Sequence, residues 1–263
     1  MKNILEFGAA LAANEPISMV TCYDYWSAKI LNSSNIDCLL VGDSVAMVNH
    51  GYESTVNATV EMMVAHTQAV TKGASEKFIV SDLPFMSYRQ GLSSGIAAST
   101  KLMQAGANGV KLEGSTGNEA IISHLVESGI PVMGHIGLTP QCVNSLGGFK
   151  VQGKSASSAE KIRSEAKQLE SLGCFALVLE CIPSELAGEI TEQLEIPTIG
   201  IGAGCKTSGQ VLVLQDLLGT DSSFNPRFLK QFENLERRIT NAVNDFDQQV
   251  SNRSFPSETE SYS

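Results

Sequence analysis

Positive charge is scarce in this chain. Its 263 residues carry 18 Lys and Arg against 28 Asp and Glu, a net charge of −10. Phosphate backbones repel such a surface, so nucleic acid and anionic membranes are excluded as expected partners. No apolar run approaches the roughly 20 residues that cross a bilayer. The segment MKNILEFGAALAANEP is broken by Glu6 and fits a first helix better than a signal peptide. Cys22, Cys38, Cys142, Cys174, Cys181 and Cys205 form no CxxC pair, and several lie in apolar runs. Free thiols in a reducing cytosol are therefore expected, not disulfides or zinc. Histidines number only four, and His50, His66 and His124 show no ligand spacing with one another; His66 and His124 fall in helical segments as surface or packing residues.

What the chain does have is a repeating alternation of elements. Strand-length apolar runs occupy Ile17–Cys22, Asp37–Val41, Phe78–Ser81, Gly109–Leu112, Pro131–Gly134, Phe175–Leu179, Pro197–Ile201 and Val211–Leu214. They do not alternate in polarity, which suits strands covered on both faces. Helical stretches lie between them: Asp24–Asn32, Thr59–Lys72, Ser94–Ala105, Asn118–Ser128, Ser158–Ser171 and Ser184–Leu194. Gly73, Gly106, Gly129 and Gly173 stand where left-handed C-caps are expected. Eight β/α units predict an α/β fold, a (β/α)8 TIM barrel with an extra N-terminal helix near residues 3–13. An open doubly wound sheet is the alternative. The barrel is expected to occupy residues 1–250 as a single domain, with a disordered polar tail over 251–263.

The position of the titratable residues is the informative feature. CLLVGDS ends at Asp43 and Ser44, FIVSDLPF holds Asp82, GVKLEG holds Lys111 and Glu113, PVMGHIG holds His135, and FALVLE ends at Glu180. In a parallel barrel these strand ends open on one face, so the side chains converge. Singly, each has a bland role as a helix cap, a surface pair or a structural histidine. Together, several carboxylates sharing a rim call for a neutralising cation. Oxygen ligands favour a hard ion such as Mg²⁺, which uses one or two carboxylates, waters and substrate oxygens. The long connections Asp43–Ala58 and Leu138–Ser157 read as covers over that face. Gly200-Ile-Gly202-Ala-Gly204 is either a phosphate cradle or a tight turn against a neighbour.

The segments VGDSVAMVNHGYEST, SDLPFMSY, GANGVKLEG, PVMGHIGLTPQCVNSLGGFKVQGK, ALVLECIP and IPTIGIGAG, in this order from about Thr21 to Gly219, resemble the ketopantoate hydroxymethyltransferase family (3-methyl-2-oxobutanoate hydroxymethyltransferase). The resemblance implies a cytoplasmic homo-oligomer, commonly a decamer, acting in pantothenate biosynthesis. It implies transfer of a one-carbon unit from the co-substrate 5,10-methylenetetrahydrofolate to 3-methyl-2-oxobutanoate, through a magnesium-stabilised enolate, giving 2-dehydropantoate. One Mg²⁺ per subunit would be held by Asp43 and Asp82, with Glu113 completing the site directly or through water. Ser44 and Lys111 would bind the 2-oxo acid beside the two aspartates, His135 would line the pocket, and Glu180 would be the catalytic acid/base. The chain departs from the family's pattern at Ser115, where Gly is common, at Val45-Ala46, at Lys72 and at Gln215, where His is usual.

Two other readings compete with this one. A magnesium-dependent lyase of the phosphoenolpyruvate or 2-oxo acid type shares the metal-enolate chemistry. It would need a reactive loop cysteine or lysine, for which Cys142 is the nearest match. A non-catalytic metabolite-binding barrel would be marked by loss of a ligand or of the base, and the sequence retains both.

Overall fold

A computed structural model describes residues 1–262. Backbone contacts divide the chain into two compact units, Met1–Leu212 and Val213–Ser263. In the first, eight parallel strands close into a ring in sequence order, β8 pairing with β1. The strands are β1 Ile17–Thr21, β2 Cys38–Val41, β3 Phe78–Asp82, β4 Gly109–Glu113, β5 Val132–Gly137, β6 Ala176–Glu180, β7 Thr198–Ile201 and β8 Gly209–Leu212. The closed ring excludes the open sheet. β8 begins two residues before the expected Val211.

Helices α1 Ile4–Ala12, α2 Tyr25–Asn32, α3 Val45–Val48, α4 Val60–Gly73, α5 Leu92–Gln104, α6 Glu119–Glu127, α7 Val143–Leu146, α8 Ala156–Ser171 and α9 Ser184–Gln193 precede or link the strands. Several start where a side chain satisfies a free backbone amide. Asp24 accepts from Ser27 N, Thr59 from Met62 N, and Ser155 and Ser158 form a reciprocal capping box. Gly106, Gly129 and Gly173 take positive φ after their helices as expected. Gly73 does not: it is the last residue of α4, and its lack of a side chain serves packing. A Cβ there would lie 2.6 Å from Ala28 Cβ and 2.7 Å from Tyr25 O, so only glycine lets α4 approach α2 this closely.

Period-two alternation, hidden in the sequence because both strand faces are apolar, explains the barrel interior. Ile17 and Met19, Cys38 and Leu40, Phe78 and Val80, Met133, Ala176 and Val178, Ile199 and Val211 form one buried cluster. Phe7 of α1 closes its lower end, with ring centroids 5.2 Å from Phe78 and 5.1 Å from Phe175 in edge-on contacts. Two residues further along the same faces stand Asp82, His135 and Glu180.

The second unit holds α10 Leu214–Leu218 and α11 Leu235–Ser251, then a 3-10 turn at Glu258–Glu260. The ring is complete at Leu212, the last residue of the first unit. No residue of α11 is buried. None of the described helices is long and apolar enough to cross a membrane.

Candidate active site

All the titratable residues expected at the strand ends meet at one mouth of the barrel, and their order follows from strand register. Asp82 is opposite Lys111, Glu113 opposite His135, and Gly137 opposite Glu180. Lys111 Nζ lies 3.1 Å from Asp82 Oδ1 and 3.3 Å from His135 Nδ1. His135 Nδ1 is 3.5 Å from Glu113 Oε1, and its Nε2 is 3.2 Å from Glu180 Oε2. Asp43, which follows β2, donates its backbone N–H to Asp82 Oδ2 at 3.0 Å. Ser44 Oγ is 2.7 Å from the hydroxyl of buried Tyr23. Asp43, Asp82, Lys111, Glu113 and His135 are all buried, whereas the Glu180 side chain keeps 18% exposure at the mouth.

Burying this many charges shifts their protonation. Burial first, then the charges of Asp82 and Glu113, push the Asp43 carboxyl well above its ordinary value, with Lys111 and Gln141 pulling the other way. Burial also raises Asp82, against the restraining charge of Lys111. Burial opposes the charge on Lys111, but Asp82, Asp43 and Glu113 outweigh it and hold the ammonium above its usual range. At His135, burial and Lys111 oppose protonation, yet hydrogen bonding to Glu113 and Glu180 raises it to about 9. Nδ1 can accept from Lys111 when bare or donate to Glu113 when protonated. In both states Nε2 carries a proton, and it faces Glu180.

The residues fit a hard divalent cation. Asp43, Asp82 and Glu113 share the mouth, and burial beside one another opposes the charged form of Asp43, a cost that a divalent cation would relieve. Asp82 Oδ1 is buried without a hydrogen-bond partner, since Lys111 approaches it off the bonding direction. Among the described residues no three His, Cys, Asp or Glu side chains form a ready-made metal cluster. Asp43 and Asp82 are the adjacent pair, and Glu113 Oε2 is taken by the Gln141 amide at 3.0 Å. Two carboxylates suffice for Mg²⁺, which fills its shell with water and substrate oxygens.

Sequence reasoning missed Gln141, Tyr88 and Tyr23. Gln141 donates through Nε2 to Asp43 Oδ2 at 2.8 Å, and Tyr88 Oη donates to Gln141 Oε1 at 2.8 Å. Gln141 belongs to the 3-10 turn Pro140–Cys142 in the connection after β5. That connection, with Arg89, Glu113, Lys161 and Glu165, lines a cavity of about 240 Å³. Cys142 also lines it and is half-buried; all six cysteines are free. After Glu180, Cys181 takes φ +47, a left-handed conformation rare for a side-chain-bearing residue.

Other expectations resolve away from the site. Ser115 turns from the mouth: its buried Oγ donates to Gln168 Oε1 of α8 at 2.8 Å. The glycines after β7 make a tight turn, Gly202 and Gly204 having positive φ, and a Cβ on Gly204 would collide with Ser184. His50 and His66 are paired after all, Nε2 to Nε2 at 2.8 Å, because the connection after β2 folds back on α4. Gln215 lies in α10 of the second unit with its side-chain oxygen buried and unpartnered.

Comparison with known proteins agrees with this geometry. A family model described as ketopantoate hydroxymethyltransferase matches residues 2–258. The chain is 57% identical over 255 residues to a 3-methyl-2-oxobutanoate hydroxymethyltransferase of Coxiella burnetii, covering 97% of this chain and 96% of that one. It is 54% identical over 263 residues to the protein so named in Bdellovibrio bacteriovorus, covering 100% of both. Among solved structures, a phosphonopyruvate hydrolase in complex with oxalate and Mg²⁺ superposes with a TM-score of 0.62 at 11% identity, over 99% of this chain and 93% of that one, a likeness of fold alone. The chain therefore belongs to the ketopantoate hydroxymethyltransferase family, a family of transferase enzymes.

Proposed function

We propose that the chain transfers a one-carbon unit from 5,10-methylenetetrahydrofolate to 3-methyl-2-oxobutanoate, giving 2-dehydropantoate and tetrahydrofolate with consumption of one water. The observation that carries this reading is the unbroken line of contacts from Asp43 through Asp82, Lys111 and His135 to Glu180 at one barrel mouth.

Mg²⁺, held by Asp43 and Asp82 with Glu113 nearby, would supply Lewis acidity to the 2-oxo acid. The protein's own groups do the remaining work. Lys111 places a buried positive charge for the substrate carboxylate, and Ser44, oriented by Tyr23, offers it a hydroxyl. Glu180 takes the C3 proton as general base, with the His135 Nε2 3.2 Å from its Oε2 as the neighbouring charge partner. The connection after β5 keeps bulk water from the reacting carbon. We further propose a cytoplasmic homo-oligomer, a decamer as in the family. Ile239, Val243, Phe246 and Val250 support self-association, because they form an exposed apolar stripe along α11.

The test is direct. Purified protein is given both substrates with and without Mg²⁺, with product formation and deuterium exchange at C3 followed by NMR. Both should appear only with the ion. A metal-replete protein that shows neither overturns the reading; C–C cleavage of a 2-oxo acid product without folate would move it to the lyases.

A further inference from the structure

The least expected buried side chain of the mouth is Gln141. It sits in the connection after β5, yet its partners lie after β2, after β3 and in β4. Nε2 donates to Asp43 Oδ2 at 2.8 Å and to Leu83 O at 3.0 Å, the backbone N donates to Glu113 Oε2 at 3.0 Å, and Oε1 accepts from Tyr88 Oη at 2.8 Å. The residue is 6% exposed. Burying a carboxamide and freezing its rotamers is costly unless its hydrogen bonds are made, and here both ends of the amide are satisfied. A neutral donor on one oxygen of Asp43 fixes that carboxylate's orientation without adding charge and leaves the other oxygen for a ligand, as outer partners of metal ligands do. The same contacts tie down the connection. Its far side is anchored where Gln152 N donates to Cys181 O at 2.8 Å, immediately after Glu180. Between and beside these anchors, Lys150 and Lys154 are exposed.

We propose that Gln141 is a positioning residue that couples closure of the 138–157 connection to cation binding. It holds Asp43 and Glu113 in the orientation that receives the ion, and those carboxylates in turn hold the connection shut. The proposal rests on the reading of Asp43 and Asp82 as a Mg²⁺ site. Such coupling is reciprocal: an ion that binds better to the closed form must stabilise closure to the same degree.

The experiment uses the full chain and Mg²⁺ alone, without substrates. Mg²⁺ affinity is measured by calorimetry, and trypsin cleavage after Lys150 and Lys154 is timed by mass spectrometry with and without the ion. In the unaltered protein Mg²⁺ should slow cleavage. Gln141→Leu should weaken Mg²⁺ binding about tenfold or more and abolish the protection. Should that variant fail to fold, Tyr88→Phe carries the test: it removes the hydroxyl that donates to Gln141 Oε1 at 2.8 Å, a hydroxyl that also accepts from Glu113 N at the longer distance of 3.3 Å. It should show a smaller loss in both readouts. Folded variants with unaltered affinity and intact protection overturn the coupling. So does an unaltered protein that binds Mg²⁺ while its cleavage rate stays the same. An unaltered protein that binds no Mg²⁺ overturns the metal reading itself and this proposal with it.

Discussion

The two ends of the barrel bury side chains equally well and bury opposite chemistry. At the lower end the rings of Phe7, Phe78 and Phe175 meet edge-on at centroid distances of 5.1 to 5.7 Å. At the upper end the same inward-facing rows hold Asp82, Lys111, Glu113 and His135, all buried. Aromatic burial stabilises without further help, whereas buried charges are costly unless each finds a partner. The difference locates the roles: the lower end holds the ring together, and the upper end holds groups whose arrangement serves a ligand. The predictions below separate those roles by asking whether rate or stability responds.

The largest expected effect is on rate. Glu180→Gln keeps the shape of the side chain but cannot take a proton, so kcat should fall by about 10²- to 10⁴-fold. Mg²⁺ affinity and the melting midpoint should stay put, since Glu180 is only partly buried and is not among the groups placed around the ion. Steady-state kinetics beside calorimetry decides it. Near-normal turnover would move the base elsewhere, and a large drop in melting midpoint would blur the contrast between the two ends.

Phe7→Ala is the mirror experiment. Phe7 is fully buried, and truncating a core Phe costs about 3–5 kcal/mol. Urea unfolding should show that loss, with kcat per folded molecule unchanged. A variant with a damaged rate but intact stability would mean that the lower end is coupled to the chemistry.

The fold was readable because eight apolar runs separated by helical stretches admit few topologies, and the site because Asp43, Asp82, Lys111, Glu113, His135 and Glu180 all sit at strand ends that a parallel barrel must gather. Contacts made by long connections were not readable. Gln141 reaches Asp43 across 98 positions, and nothing in the string LTPQCVNS marks its glutamine as buried. The His50–His66 pair escaped for the same reason: no fixed spacing describes a connection folded back on a helix. Gly73 was misread as a left-handed cap because sequence shows the absence of a side chain and not which neighbour needs the space.

The upper end should also respond to pH in a way the lower end cannot. His135, raised to about 9, contributes stability that is complete below its unfolded value of about 6.5 and is lost as pH rises through 9. Asp43 and Asp82 are raised as well, so their ionised forms cost stability above the ordinary carboxylate range. All three act in the same direction, and the ion-free protein should lose stability between about pH 6.5 and 9. Mg²⁺ competes with the protons on Asp43 and Asp82, so its stabilising shift in melting midpoint should grow as pH rises. Thermal melts with and without Mg²⁺ at several pH values measure this. A shift that shrinks as pH rises would mean the ion is not held by these carboxylates.

The smallest effect tests whether nearness to the mouth is enough to matter for rate. Ser115 follows Glu113 by two positions and stands where relatives of this family are expected to carry Gly. Its hydroxyl nevertheless faces α8, donating to Gln168 Oε1 at 2.8 Å, and the residue is fully buried. Ser115→Gly removes that donor but keeps the backbone N–H that Glu165 Oε1 accepts at 2.9 Å. Losing one buried hydrogen bond should cost about 1 kcal/mol in urea unfolding, with kcat and KM for the 2-oxo acid unchanged. A change in KM instead would show that the strand-end backbone transmits the position of residue 115 to Glu113, and the boundary between the supporting layer and the chemical layer would then lie one residue deeper than the side-chain directions place it.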